Sequence, residues 1–192
     1  MSRLLREKGQ SLIEFTLVTP LLLVLAFGVI EFGWVLLDEH VVTKLSREGS
    51  NLISRNTPIT QARAALESMS ARPVDFASGS RLIFSVIRMA TTGANQGFHI
   101  IYQRYDYGDS TLPGSVLQMQ GSGSFVPPDY VAVAHNTNTG LRAVPSTLPQ
   151  GLNLPPGGML YVTEIYSRHQ LLTPLDRLGI TVPQTLYSIA YF

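Results

Sequence analysis

Two carboxylates, one at the start of the most apolar stretch of the sequence and one within it, are the residues most able to do chemistry there. Glu14 stands at the start of the apolar run 15–37, and Glu31 stands near the far end of that run. A charged side chain near hydrocarbon costs a few kcal/mol unless it is paired or reaches the membrane interface. We therefore expect both Glu14 and Glu31 to need a partner or access to water.

The residue types that usually carry catalysis form no recognisable pattern. The histidines are scattered and none has the spacing of a zinc-protease helix; they are His40, His99, His135 and His169. The absence of cysteine excludes disulfides, thiolate nucleophiles and cysteine-based zinc sites. A phosphate-binding P-loop is absent, and the acidic stretch 106–110 lacks the ligand spacing of a calcium loop. The sequence predicts a protein that is not an enzyme and uses no metal or cofactor.

The apolar run 15–37 is long enough to cross a membrane. As a helix its 23 residues would be roughly 35 Å long, against roughly 30 Å of hydrocarbon in a bilayer. Positive residues beside a first membrane helix stay in the cytoplasm, and Arg3, Arg6 and Lys8 precede this one. The sequence predicts a single-pass anchor in membrane lipid, with everything after Leu37 outside the cytoplasm.

Pro20 and Glu31 need local explanations within the predicted span. Pro20 cannot donate to the carbonyl of Thr16, so we expect a kink or a loosened turn, with a threonine hydroxyl as substitute donor. Flexibility there could be functional, or the proline could simply be tolerated. The Glu31 carboxylate either extends to the outer interface or pairs laterally with a neighbouring chain.

One face of the predicted helix carries small residues. At about 100° per residue, a face about 100° wide contains Thr16, Thr19, Ala26 and Gly33. Small residues let helices approach closely in lipid, so this face, together with Pro20, is a candidate packing surface for neighbouring subunits; a chance arrangement is the alternative. Glu14 and Glu31 lie on other faces, so one partner helix could not easily contact both.

Beyond the span, the sequence predicts a stem helix and then a small sheet. The stem should end before Pro58, since the residue preceding a proline avoids helical angles. A second helix is predicted at 59–69, where apolar residues recur at helical spacing, with Thr57 or Thr60 as its cap. Aliphatic and aromatic runs predict four strands, the first two of which form an antiparallel hairpin: 81–90, 98–105, 159–167 and 185–192.

A Gly-, Pro- and Ser-rich insertion, 107–158, separates the two pairs of strands. A loop of this length is usually functional or mobile, and Val131 and Val133 could add a short strand within it. Four tyrosines either form an exposed adhesive surface or line the core: Tyr102, Tyr105, Tyr107 and Tyr130. The predicted fold class is α+β, with a long amino-terminal transmembrane and stem helix packed on a small, four-stranded antiparallel sheet.

Charge argues against a nucleic-acid partner. The formal net charge is +1, and the basic excess lies in the first nine residues, so the rest of the chain is near neutral. Surfaces that bind nucleic acid are strongly basic. The sequence therefore predicts no nucleic-acid binding.

The order of residues at the amino terminus resembles that of type IV prepilins, in which a basic leader ends in glycine and a glutamate stands five residues beyond the cut. The resemblance is closer to one branch, the TadE-like minor pilins (pseudopilins) of tight-adherence pilus systems. It is carried by Gly9-Gln10-Ser11-Leu12-Ile13-Glu14-Phe15, Pro20, Glu31-Phe32-Gly33 and Arg47-Glu48-Gly49. A predicted strand, 161–166, followed by Leu171-Leu172-Thr173-Pro174, resembles the family's carboxy-terminal pattern more loosely.

This resemblance implies processing and assembly. A prepilin peptidase would cut between Gly9 and Gln10, leaving Glu14 as fifth residue of the mature chain, followed by Phe15. The Glu14 carboxylate would then satisfy the new amine of Gln10 or that of an adjoining subunit; opposite charges about 4 Å apart attract by about 4 kcal/mol at an effective dielectric near 20. A role in complementing the helix dipole, worth about 0.3 to 1 kcal/mol, is the alternative.

The expected organisation is a prepilin leader at 1–9, a transmembrane and stem helix at 10–57, and a pilin-like extracytoplasmic domain at 58–192 that carries the insertion. The expected function is that of a minor pilin in the assembly, initiation or capping of a pilus. Its expected partners are the prepilin peptidase, other major and minor pilins, the assembly platform and membrane lipid. We expect it in the inner (cytoplasmic) membrane, in the cell-surface filament, or in both.

Three other interpretations stay open on the sequence. A secretory signal could be cut near Ala26-Phe27-Gly28, although the apolar run continues past that point to Ile30. A single-pass sensor or ligand-binding module would keep its leader and never polymerise. An anchored enzyme is the third. The mature amino terminus distinguishes the pilin from the secretory signal and from an uncleaved anchor.

Overall fold

The structure is a computed structural model that describes residues 2–174, 177, 179 and 184–192; of residues 2–11 it describes the backbone alone. The helices are α1, Ser2–Ser54, and α2, Ile59–Met69. The strands are β1, Ser80–Met89; β2, His99–Gly108; β3, Phe125–Val126; β4, Val131–Ala132; β5, Met159–Arg168; and β6, Thr185–Tyr191. The predicted α+β class is confirmed.

Contacts divide the chain into two compact units. One comprises Met1–Leu37 and His169–Gln184, as far as these are described, and the other comprises Asp38–Arg168 and Thr185–Phe192. Helix α1 contributes residues to both. Among the described residues, one helix, Leu12–Ser54, is long and apolar enough to cross a membrane, with a mean hydropathy of 2.3 in its apolar window. The side chains of that window are not buried by the rest of the chain, as expected of a helix whose apolar surface contacts lipid.

The sheet is antiparallel throughout and has strand order β3-β4-β2-β1-β5-β6. It has six strands where the sequence predicted four. The two additional strands are the two-residue pair β3 and β4 within the insertion, near the Val131 position that the sequence had indicated. The predicted hairpin of β1 and β2 is confirmed, but β2 runs on to Gly108, which pairs with Arg81. Pairing with β1 therefore overrides the loop-like residues at the end of β2.

The second unit packs the later part of α1 onto one face of the sheet through small residues. The Ser46 and Ser188 hydroxyls are 2.8 Å apart, and the Ser50 hydroxyl donates to the Ala190 carbonyl at 2.8 Å. A Cβ added to Gly49 would lie 2.7 Å from Cγ2 of Thr163. Since Cβ atoms essentially never come that close, the helix approaches the strand at this distance only because residue 49 is glycine.

Gly49 yields a stability prediction. We expect Gly49→Val to lower the free energy of unfolding of the second unit by about 1 to 3 kcal/mol, because the side chain must displace the buried Thr163. The measurement is thermal unfolding in detergent, followed by circular dichroism of the sheet. The matched control is Gly33→Val in the same helix, where an added Cβ meets nothing within 4 Å. Equal melting temperatures for the two variants would contradict the close packing of α1 at residue 49.

The insertion covers the opposite face of the sheet. Because successive strand residues point to opposite faces, Val162 points away from the face on which Thr163 contacts α1. Val162 and Ile87 form a buried cluster with Leu117 and Ala143 of the insertion. The insertion is therefore largely a packed layer, with its own buried apolar residues.

At the stem end one prediction is confirmed, since the helix stops before Pro58, and one needs correction, the threonine cap of α2. Helix α1 ends at Ser54, and the N-cap of α2 is Pro58, whose side chain cannot cap. Neither Thr57 nor Thr60 caps α2. Instead the Pro58 carbonyl accepts bonds from the N–H groups of Gln61 and Ala62, both at 2.9 Å. The fixed φ of a proline suits the start of a helix, so it begins without a side-chain cap.

Candidate functional site

A buried carboxylate site lies in the first unit, where Glu31 of α1 meets the segment that follows β5. The carboxylate of Glu31 takes part in five hydrogen bonds of 2.6 to 3.3 Å. His169 Nε2 lies 3.1 Å from Oε1, the Thr173 N–H and hydroxyl lie 2.9 and 2.6 Å from Oε2, and the Leu172 N–H lies 3.3 and 3.2 Å from the two oxygens. We call Glu31, His169, Leu172 and Thr173 the Glu31 clasp.

The Glu31 clasp satisfies a charge that would otherwise be costly to bury. Glu31 is only 1% exposed, His169 3% and Thr173 9%. An ionised carboxylate only accepts hydrogen bonds, so Nε2 of His169 is a donor in this pair. Two consecutive backbone N–H groups, a hydroxyl and an imidazole together provide charge-assisted bonds, which are the strong class. The clasp can therefore hold a carboxylate inside apolar surroundings.

The structure gives Glu31 a set of partners that neither expectation included. These hydrogen-bond partners come from its own chain, whereas reach to the outer interface and lateral pairing stay predictions. The reason is tertiary: a segment more than 135 residues later in the sequence supplies donors that a helix alone cannot.

Sequence reasoning missed the three partners of Glu31. His169 was one of four scattered histidines, and Leu172 and Thr173 were noted only as part of a loosely matching motif. That motif was the available signal, since Leu171-Leu172-Thr173-Pro174 resembles the family pattern without being part of a strand. The structure brings it to Glu31-Phe32-Gly33, another motif of the resemblance.

The residues of the expected cleavage and assembly site all lie on α1. The backbone of Gly9 and Gln10 is helical, and the side chain of Gln10 lies outside what the structure describes. Glu14 is exposed but has interactions of its own, and Phe15 is 69% exposed. A ring so exposed at the start of an apolar helix is available to lipid or to a neighbouring helix.

The candidate small-residue face is largely uncovered. Thr16, Ala26 and Gly33 are exposed and Thr19 is half-buried. The helix continues through Pro20. A threonine hydroxyl was expected to donate to the Thr16 carbonyl, which Pro20 leaves without its helical partner. Instead the Thr16 hydroxyl donates to the Leu12 carbonyl and the Thr19 hydroxyl donates to the Phe15 carbonyl, each at 2.7 Å. Each hydroxyl thus bonds to the carbonyl four residues earlier, and neither donates to the Thr16 carbonyl.

A second buried carboxylate, Glu164, fastens the insertion to the sheet. It accepts hydrogen bonds from the Ser115 hydroxyl, from the Val116 N–H at 2.8 Å and from the Tyr187 hydroxyl at 3.2 Å. Burial, followed by the negative charge of Glu164, raises the pKa of Tyr187, so its hydroxyl remains a donor at neutral pH. All of these bonds lie within the second unit, and we regard Glu164 as structural.

The carboxylates of the acidic stretch 106–110 are engaged with cations. Asp106 receives two bonds from Arg81, at 2.8 and 2.5 Å, and Asp109 lies 3.2 Å from Arg168. Hydrogen bonds from Thr111 lower the pKa of Asp109. In the part of the chain that the structure describes, no group of three or more His, Cys, Asp or Glu side chains is arranged to hold a metal ion.

The four tyrosines are neither a fully exposed surface nor fully buried core residues, the two alternatives that the sequence left open. All are half-buried. The Tyr105 ring is stacked with Tyr107 at 6.2 Å and meets Tyr130 edge-on at 4.6 Å, and it also stacks on the buried Phe84 at 6.5 Å. Three of the rings therefore contact one another and extend the core toward the surface, whereas Tyr102 instead meets His135 edge-on.

The second unit also contains an open groove of about 740 Å³ between α1 and β6. Its helix side carries His40, Lys44 and Arg47, and its strand side carries Tyr191 and Phe192. The rings are 43% and 64% exposed. The lining also contains the carboxylate of Glu48, but the two cations Lys44 and Arg47 exceed it and, with the exposed rings, would suit an acidic ligand or partner segment.

Comparison with known families assigns the amino-terminal part of the chain. Residues 9–51 match the family model described as TadE-like protein. This confirms the resemblance drawn from the sequence, and the match contains all the motifs noted in the first 50 or so residues. Comparison with curated proteins and with solved structures found no match. The segment 9–51 is therefore similar to TadE-like proteins, and the family match covers that segment.

Proposed function

From the TadE-like segment at residues 9–51, we propose that this chain is a minor pilin, or pseudopilin, that acts in the assembly, initiation or capping of a tight-adherence pilus. The observation that carries the proposal is the combination of Gly9 and Glu14 at pilin spacing with the outward-facing apolar helix that follows them. A helix with this surface needs lipid or other helices around it. Membrane and filament core would provide these in turn.

Processing is the first step of the proposal. A prepilin peptidase cuts between Gly9 and Gln10, removes the basic leader with Arg3, Arg6 and Lys8, and exposes a new amine on Gln10. The basic leader keeps that end of α1 in the cytoplasm before cleavage. The second unit then lies outside the cytoplasm, as a minor subunit with membrane lipid and other pilins as neighbours.

The assembly chemistry rests on Glu14. After cleavage its carboxylate lies about one helical turn from the new amine, and it can pair with that amine or with the amine of an adjoining subunit. Phe15 and the small-residue face of α1 provide apolar contact with neighbouring helices. Glu14 would therefore set the axial register at which the helices of pilins and of the assembly platform meet.

The proposed role is structural rather than enzymatic, and it requires no metal or cofactor. The second unit is too large for a short major subunit, which favours a minor subunit at the tip or in the assembly apparatus. An anchored sensor or ligand-binding module is the second candidate, and the groove lined by Lys44, Arg47 and Tyr191 is the observation that favours it. Such a module would keep its leader.

The mature amino terminus tests the proposal. The protein is purified from its native membrane, from cells with and without the prepilin peptidase, and its mass and terminal sequence are determined. We expect a start at Gln10 that depends on the peptidase. A start at Met1 in both strains would favour the anchored module, and a start near Val29 would mean that the apolar run was a discarded signal.

A further inference from the structure

The Glu31 clasp ties an extracytoplasmic segment to a part of α1 that lies within the predicted membrane span. Glu31 follows Phe15 by 16 residues, which is roughly 24 Å along a helix, whereas the hydrocarbon is roughly 30 Å thick. If α1 enters the hydrocarbon near Phe15, Glu31 lies inside the outer leaflet, close to its boundary. The N–H groups of Leu172 and Thr173, which bond to Glu31, must then lie at the same depth.

The segment 171–174 combines an exposed apolar side chain with backbone donors that bond to α1. Leu172 is 46% exposed, beside a helix whose Ile30 and Phe32 are 53% and 65% exposed. The polar groups that it directs at α1, two N–H groups and the Thr173 hydroxyl, end on Glu31. Non-helical backbone is tolerated at membrane depth only where its polar groups are satisfied by protein. The exposed leucine therefore continues the apolar surface of the span.

We propose that residues 171–174 form a membrane-contact element embedded in the outer leaflet beside α1, with Leu172 against phospholipid acyl chains. The Glu31 clasp is what positions the element, because its hydrogen bonds couple the backbone at 172 and 173 to one height on the helix. The proposal rests on the membrane anchoring that is part of the proposed function, but not on cleavage or polymerisation. The occupant of this surface is lipid, since the surface is continuous with that of the anchor.

Spin labels can test this directly, because the chain contains no cysteine. Single cysteines replace Leu172, Val29 within the span, and Gln150 in the exposed insertion. Each labelled chain is placed singly in nanodiscs of phosphatidylcholine and phosphatidylglycerol. Power saturation then measures the accessibility of each label to oxygen, which concentrates in lipid, and to a water-soluble nickel chelate. The Pro174→Cys label is a second probe of the same element, in case the first variant does not fold.

We expect the label at 172 to be several-fold less accessible to nickel than the label at 150, and several-fold more accessible to oxygen. A label at 172 that behaves like the one at 150 would overturn the proposal. Low accessibility to both reagents would also overturn it, since protein rather than lipid would then cover the leucine. The label at Val29 reports separately on anchoring: if it too is open to nickel, the membrane span itself is wrong, whatever the result at 172.

Discussion

Replacing Glu14 by alanine should abolish incorporation of the protein into pili while leaving cleavage after Gly9 largely intact. The reason is the amine that cleavage exposes on Gln10. At about 4 Å and an effective dielectric near 20, its attraction to a carboxylate is about 4 kcal/mol, and the loss of even part of this weakens assembly about tenfold or more. The measurement is the amount of protein in sheared pili, together with the mature mass.

Two further variants sharpen the Glu14 prediction. Glu14→Gln keeps the shape of the side chain and removes its charge, so it should fail as Glu14→Ala does. Glu39→Ala is the matched control, since Glu39 is an exposed carboxylate on the same helix beyond the apolar run, and it should assemble normally. Normal piliation with Glu14→Gln would show that the charge of Glu14 does not set the register.

Replacing Glu31 by alanine should release the segment after β5 from α1. The substitution removes the acceptor for His169, Leu172 and Thr173 at once, and each buried donor left unsatisfied costs about 1 to 3 kcal/mol. We expect amide exchange at 172 and 173 to accelerate about 10-fold to 100-fold, which corresponds to about 1.4 to 2.8 kcal/mol. The measurement is hydrogen exchange followed by mass spectrometry of a peptide spanning 169–174.

The controls for Glu31 separate local from global effects. Glu31→Gln keeps one acceptor oxygen and should give an intermediate rate. Glu39→Ala should give the rate of the unsubstituted protein. Exchange in β1 and β5 of the second unit should stay unchanged in all variants, because the Glu31 clasp lies wholly in the first unit. Unchanged exchange at 172 and 173 in Glu31→Ala would show that the carboxylate does not hold this segment.

Local pattern was sufficient for most elements of the fold. The range predicted for α2 is the observed Ile59–Met69, and four strand predictions coincide with β1, β2, β5 and β6 to within a few residues. These elements are long and their apolar spacing is regular, which is where periodicity is a strong signal. The end of β2 and the two-residue pair β3 and β4 were not predicted in full, because pairing with partner strands rather than the propensity of their own residues forms them.

The features of the candidate site likewise fall into those that local sequence determines and those that distant contacts determine. The sequence by itself determined the apolar span, the position of Glu14 before it and the TadE-like pattern, because each depends on residues that are close together in the chain. Only the tertiary structure decided the partners of Glu31 and the fit of Gly49 against Thr163, since both depend on contacts across more than 100 residues. Spacing along a helix indicates which faces a carboxylate and a glycine occupy, but what lies opposite them is determined by how the rest of the chain packs.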